Sequence, residues 1–232
     1  PVSYKGKRVA VIGTGSSGIQ SIPEIAREAE HLTVLQRTPQ YAFPAENRPI
    51  TPEEMADVRK NWDALREKMR GNFGGFPYDN QERSALQDTP EQREALYEEL
   101  WQRGSFRFFL ELYSDIAISE EANLSLADFV RGKIREIVKD PKTAEILTPH
   151  NIIGCKRLCV DTDYWTTYNR DNVDLVDVSK EPVERIVPEG VKAHGKVFEF
   201  DALVLATGFD AMTGPLLRMN IRGRDGLPLK DK

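Results

Sequence analysis

The loop VIGTGSSGIQ carries Gly13, Gly15 and Gly18 in a G-x-G-x-x-G spacing. Between a strand and a helix, that spacing builds a pyrophosphate site. The first glycine allows a tight turn, the second lets phosphate approach the backbone, and the third lets the helix pack closely on the strand. The helix N-terminus adds unpaired N–H groups and a positive dipole end. Thr14, Ser16, Ser17 and Gln20 can contribute side-chain hydrogen bonds. Glycines alone are weak support, and the strand before and helix after them supply the specificity.

About twenty residues past such a loop, a dinucleotide-binding unit usually ends its second strand on an acid that accepts from the ribose 2′-hydroxyl. LTVLQRTPQ puts Gln36-Arg37-Thr38 there instead. A 2′-phosphate would be repelled by an acid and matched by a guanidinium, which can bond it through a two-pronged fork. Arg37, with the Thr38 hydroxyl beside it, therefore points to NADP(H) over NAD or FAD, the bland alternative being a solvated surface arginine.

A second cationic pair, Lys156-Arg157 in IGCKRL, lies where the chain must return to the sheet near its ligand-binding edge; without that context it would read as an exposed turn. The stretch ATGFD ends the last apolar run on Ala206, Thr207 and Gly208, small residues that let backbone pass close to a cofactor. After Tyr164 the fourth residue is Tyr168, so the Tyr-x-x-x-Lys of short-chain dehydrogenases is absent, as are HExxH and GxxxxGK[ST] motifs. Cys155 and Cys159 form a lone C-x3-C, expected as two reduced thiols with no metal. The residues give a cofactor site without a self-contained catalytic set.

The elements that must position these residues fall in three blocks. Residues 1–50 read as strand RVAVIG, glycine loop, helix IQSIPEIAREAEH and strand LTVLQ, a βαβ-type opening. Residues 51–150 read as helices: TPEE and DTPEQ are capping boxes, MRGNFGGFPYDN a glycine-rich stop, and SLADFVRGKIREIVKD a helix ended by Pro141. Eleven of the chain's twenty aromatics fall there, either as a helical core or as a face covering a cleft. Residues 151–232 return to strands, with NVDLVDV and DALVLATG parallel and PVERIVPEGVKAHGKVFEF a small antiparallel meander. The expected fold is α/β: a Rossmann-like NADP-binding domain from 1–50 and 151–232, carrying a helical insertion over 51–150.

Composition narrows the classes. Net charge is −5, and residues 51–150 hold twenty Asp/Glu against fourteen Lys/Arg, which leaves the rest at +1. Bulk electrostatic binding to nucleic acid is not expected, and no apolar run reaches the roughly 18 residues of a membrane span. PVSYKGKRVAVIG runs straight into a strand, so neither signal nor transit peptide is expected and the cytoplasm is the default compartment.

GTGSSGIQ, LQRTP, CKRL, YNRDNV and VLATGFDA, in this order and over almost the whole chain, resemble the Baeyer–Villiger monooxygenases, flavoproteins of the cyclohexanone and phenylacetone monooxygenase kind. Those enzymes use FAD, NADPH and O2 to insert an oxygen beside a ketone carbonyl. The resemblance implies that Arg37, Thr38 and Lys156 hold the 2′-phosphate and that Arg157 matches the catalytic arginine, which stabilises the peroxyflavin and the tetrahedral adduct. A guanidinium suits that role because it stays charged near neutral pH. The family's N-terminal FAD fingerprint and F-x-G-x-x-x-H-x-x-x-W-P motif do not occur here. The chain is thus expected to be an excised NADP domain whose partner is the missing FAD domain; alone it should bind NADP(H) and not catalyse. A related N-hydroxylating or flavin-containing monooxygenase and a stand-alone NADPH-binding module are the alternatives.

Overall fold

The computed structural model describes residues 2–79, 81–211 and 213–232. Four strands form a parallel sheet: β1 (Arg8–Ile12), β2 (His31–Gln36), β5 (Val173–Asp177) and β9 (Ala202–Leu205), in the order β5-β2-β1-β9. Strand β1 is central because it is buried on both faces, as its uninterrupted apolar sequence requires. Val9 and Val11 face one core, with Leu32 and Val34, while Ala10 faces the other with Leu35. Helix α1 (Ser16–Glu28) covers the first face with Ile19, Ile22 and Ile25. Truncating Ile22, which is fully buried, would cost about 2–5 kcal/mol.

The second face is covered by the antiparallel meander β6 (Arg185–Val187), β7 (Gly190–Ala193) and β8 (Lys196–Glu199), whose Val191 and Ala193 complete the smaller core. Between β2 and β5 lies the helical stretch. A short strand β3 (Ala42–Pro44) leads into α2 (Pro52–Lys60), α3 (Trp62–Gly71), α4 (Pro90–Arg103), α5 (Arg107–Leu110), α6 (Glu120–Ile137) and α7 (Pro141–Leu147). Strand β4 (Cys159–Asp161) and α8 (Tyr164–Thr167) follow, and α9 (Thr213–Arg218) lies beyond β9.

The capping boxes form at Thr51/Glu54 and Thr89/Gln92, each with proline opening its helix. The reading of one helix after Thr51 is corrected to two, because Asn61 interrupts it. The helix through SLADFVRGKIREIVKD starts earlier, where Ser119 caps Ala122 N–H. Pro141 does more than end that helix: with Asp140 as cap it opens α7. The loop residue Asn80 and the Phe73 side chain lie outside the described residues.

The aromatics divide between a buried core group and an exposed group. Tyr97, Trp101 and Phe108 are buried and pack with Phe129, and Phe43 meets Phe108 at 4.4 Å between centroids. Trp62, Phe76 and Phe106 are exposed, and α2 and α3 bury no residue. One apolar cluster runs from the sheet through α1 into α4 and α6, so the helices share the sheet's core.

Candidate functional site

The sheet order reverses at β1: its α1 crossover leads to β2 on one side, while β9 pairs on the other. Open α/β sheets bind ligands beyond the strand ends at such a point. The glycine loop leaves β1 there, and Ala206-Thr207-Gly208 leaves β9 beside it, with Ala206 N–H donating to the Ile12 carbonyl at 2.9 Å. Gly13 adopts φ +107, and a Cβ on it would lie 2.4 Å from the Ala206 carbonyl oxygen. A Cβ on Gly18 would lie 2.3 Å from the Gly13 carbonyl oxygen, so only glycine allows this closeness of helix to loop. Gly15 differs: its Cβ would meet nothing within 4 Å. Gly15 also caps α1 without a side-chain bond, and no acid stands in the first turn. The helix therefore offers uncapped N–H groups beside an open backbone.

A cavity of about 480 Å³ lies at this edge. It brings together Gly13, Thr14, Gly15, Arg37, Thr38, Lys156, Ala206, Thr207 and Gly208 from the expected site. Among the described residues no carboxylate lines it, whereas Arg37 and Lys156 do. Neither cation has an ion-pair partner among the described residues; Arg8, Arg27 and Arg48, by contrast, are all paired. A groove of similar size between α4 and α6 carries Glu98 and Glu136 against Lys133, so it lacks this one-sided charge. The charge of the first cavity suits an anion and that of the second does not.

The short parallel pair β3–β4, not read from the sequence, explains how Lys156 reaches Arg37. Its register sets Ala42 against Cys159, which places Gln40 level with Arg157 just before the strands begin. Gln40 is buried, and its Nε2 donates to the Arg157 carbonyl at 2.7 Å. The turn after β2 and the Lys156-Arg157 turn are thereby held side by side. Gln36, in the position an acid usually takes, is buried and turns away, donating from Nε2 to the Ile146 carbonyl at 2.8 Å. Arg37 is left to face the cavity.

The remaining expected residues lie around it. Gly18 packs inside, Ser16 is half-buried at the start of α1, and Ser17 and Gln20 are exposed on it; the Cys159 thiol, raised in pKa mainly by burial, donates to the Arg157 carbonyl at 3.5 Å. Arg157 is exposed and does not line the cavity. Sequence reasoning missed Gln40 and the apolar wall of Val178, Pro182 and Val183. It also missed Asp161, whose carboxylate accepts from Tyr164 N–H and is pushed up to about 6 by burial. Cys155 and Cys159 are free thiols. Among the described residues no helix is long and apolar enough to cross a membrane.

Fold and cavity define a Rossmann-like α/β unit with a cleft at its switch point that is lined by Arg37 and Lys156. The chain is 41% identical over 231 residues to 2-oxo-Delta(3)-4,5,5-trimethylcyclopentenylacetyl-CoA monooxygenase of Pseudomonas putida, and 43% identical over 232 residues to cyclohexanone 1,2-monooxygenase of an Acinetobacter species. Each comparison takes in 99% of this chain and 42% of the relative. The crystal structure of OTEMO in complex with FAD and NADP matches with a TM-score of 0.95 at 41% identity, over 99% of this chain and 43% of that one. No protein-family model matches. By sequence and by structure, the chain is similar to a segment of these monooxygenases, among them one named Baeyer-Villiger monooxygenase from Pseudooceanicola batsensis at 41% identity, and it spans less than half the length of the relatives it matches.

Proposed function

We propose that this chain is the NADP(H)-binding part of an FAD-dependent Baeyer–Villiger monooxygenase that converts ketones to esters or lactones with O2. Residues 1–50 and 151–232 form the dinucleotide domain, and 51–150 are an insertion within it. The observation that carries the reading is the acid-free cavity that joins two unpaired cations to an uncapped helix N-terminus. The pyrophosphate takes the open face of Gly15 and the first N–H groups of α1, and the 2′-phosphate takes Arg37, Thr38 and Lys156. The adenine lies on the wall of Val178, Pro182 and Val183.

When bound, NADPH supplies a hydride, and FAD, held mainly by residues outside this chain, supplies oxygen activation. The chain's own contribution is to hold the dinucleotide and to bring Arg157, fixed through its carbonyl by Gln40, next to Lys156. Arg157 is assigned as the catalytic arginine, a permanent positive charge for the oxyanion that develops on the substrate. Alone, the chain binds NADP(H) and does not oxygenate. Leu205, Phe209 and Leu217 are exposed beyond the switch point, which suits contact with the FAD-binding part of the complete enzyme.

Calorimetric titration of the chain with NADP+ and NAD+ tests this reading. Two charge-assisted contacts should favour NADP+ by roughly 2–4 kcal/mol. Equal affinity for the two would refute the 2′-phosphate assignment.

A further inference from the structure

Thr14 lies inside the glycine loop and borders the cavity, yet it is 3% exposed and its hydroxyl is already committed. Oγ1 donates to the Thr38 carbonyl at 3.0 Å, which ties the loop after β1 to the turn after β2. Thr38 itself is exposed, next to Arg37, and this bond to Thr14 is the hold that its peptide receives from the glycine loop.

We propose that Thr14 is a positioning residue for 2′-phosphate selectivity: through the Thr38 carbonyl it fixes the Arg37–Thr38 turn, and it does not touch the dinucleotide. The inference rests on the NADP reading above. A residue of the glycine loop that contacted the pyrophosphate would serve NADP+ and NAD+ alike. A residue that shapes the turn after β2 serves only the ligand with a phosphate on the 2′ position.

The test titrates the 232-residue chain and its Thr14→Val, Thr14→Cys and Thr14→Ser variants with NADP+, NAD+ and 2′-AMP. The last carries the 2′-phosphate without a pyrophosphate. Valine keeps the shape and removes the donor, so NADP+ and 2′-AMP should weaken by about 3- to 10-fold, the range of one hydrogen bond, while NAD+ holds. Serine should restore the preference. Where valine prevents folding, cysteine carries the test, because its S–H is a weak donor and the NADP+/NAD+ ratio must fall. Equal losses for NADP+ and NAD+ with 2′-AMP unchanged would make Thr14 a direct pyrophosphate contact and overturn the proposal, as would unchanged affinities in both variants. A parent chain that binds NADP+ and NAD+ alike would instead overturn the NADP reading, and this inference with it.

Discussion

The Gln40 side chain spans the β3–β4 pair two residues before its ladder begins, donating to the Arg157 carbonyl at 2.7 Å while its Oε1 accepts from Tyr41 N–H at 3.2 Å. A side-chain amide here does what a ladder bond does further along, and it sets the start of the Lys156-Arg157 turn. Gln40→Leu would remove the donor and leave a polar carbonyl without it. The expected cost is about 1–3 kcal/mol of stability, read by denaturant unfolding. NADP+ binding should weaken as well, because Lys156 adjoins the released peptide. Unaltered NADP+ affinity would show that Lys156 reaches the cavity without this clamp.

Arg37 and Lys156 come from distant parts of the chain and meet in one cavity. Arg37→Ala should lower NADP+ affinity about 10- to 100-fold, the range of a hydrogen bond to a charged group, and leave NAD+ nearly unchanged. The parent chain's NADP+ binding should also weaken as salt rises, more steeply than that of the variant. Calorimetry at two ionic strengths reads both. A matching loss for NAD+ would place Arg37 on the pyrophosphate instead.

The parts of the fold that sequence disclosed are those set by local rules. Val9 to Ile12 read as a buried strand because both faces are covered, and Thr51 and Thr89 read as caps because capping is confined to one turn. Gly13, Gly15 and Gly18 were legible because each position has its own backbone demand. The β3–β4 pair was not legible: three residues, one of them Pro44, give no periodicity, and their pairing spans the whole helical stretch. Gln40 was hidden for the same reason, since its partner Arg157 is fixed by tertiary packing, whereas Asp161 bonds the Tyr164 amide only three residues on and what stayed hidden was its burial. Arg37 was found at the end of β2, but only the cavity shows that Gln36 beside it turns away.

The glycines give a paired prediction. Gly18→Ala would drive a methyl to 2.3 Å from the Gly13 carbonyl oxygen, a backbone atom that cannot step aside without moving the loop. It should destabilise the chain by about 1–3 kcal/mol or more, as overpacking does. Gly15→Ala has open space and should leave the melting temperature almost unchanged. It would narrow the face assigned to the pyrophosphate, so NADP+ and NAD+ should weaken together. Equal stability losses in both variants would contradict this division of roles.

Asp161 supplies the pH-dependent prediction. Burial is the main cause that pushes its carboxyl up to about 6 from an ordinary value of 3.8; the nearby Asp163 charge adds to it, and the Tyr164 and Trp165 amides oppose it. Between those values the folded chain holds a proton that the unfolded chain has released. Stability therefore falls as pH rises from about 4 to about 6, and the cost is fully present above that window. The shift corresponds to about 3 kcal/mol at neutral pH. Asp161→Asn keeps an oxygen acceptor for Tyr164 N–H without the charge. It should raise stability at pH 7 by about 2–3 kcal/mol and flatten the slope between pH 4 and 6, as read by denaturant unfolding across that range. A variant less stable than the parent at pH 7 would mean that the ionised carboxylate is held more firmly by the α8 amides than burial penalises it.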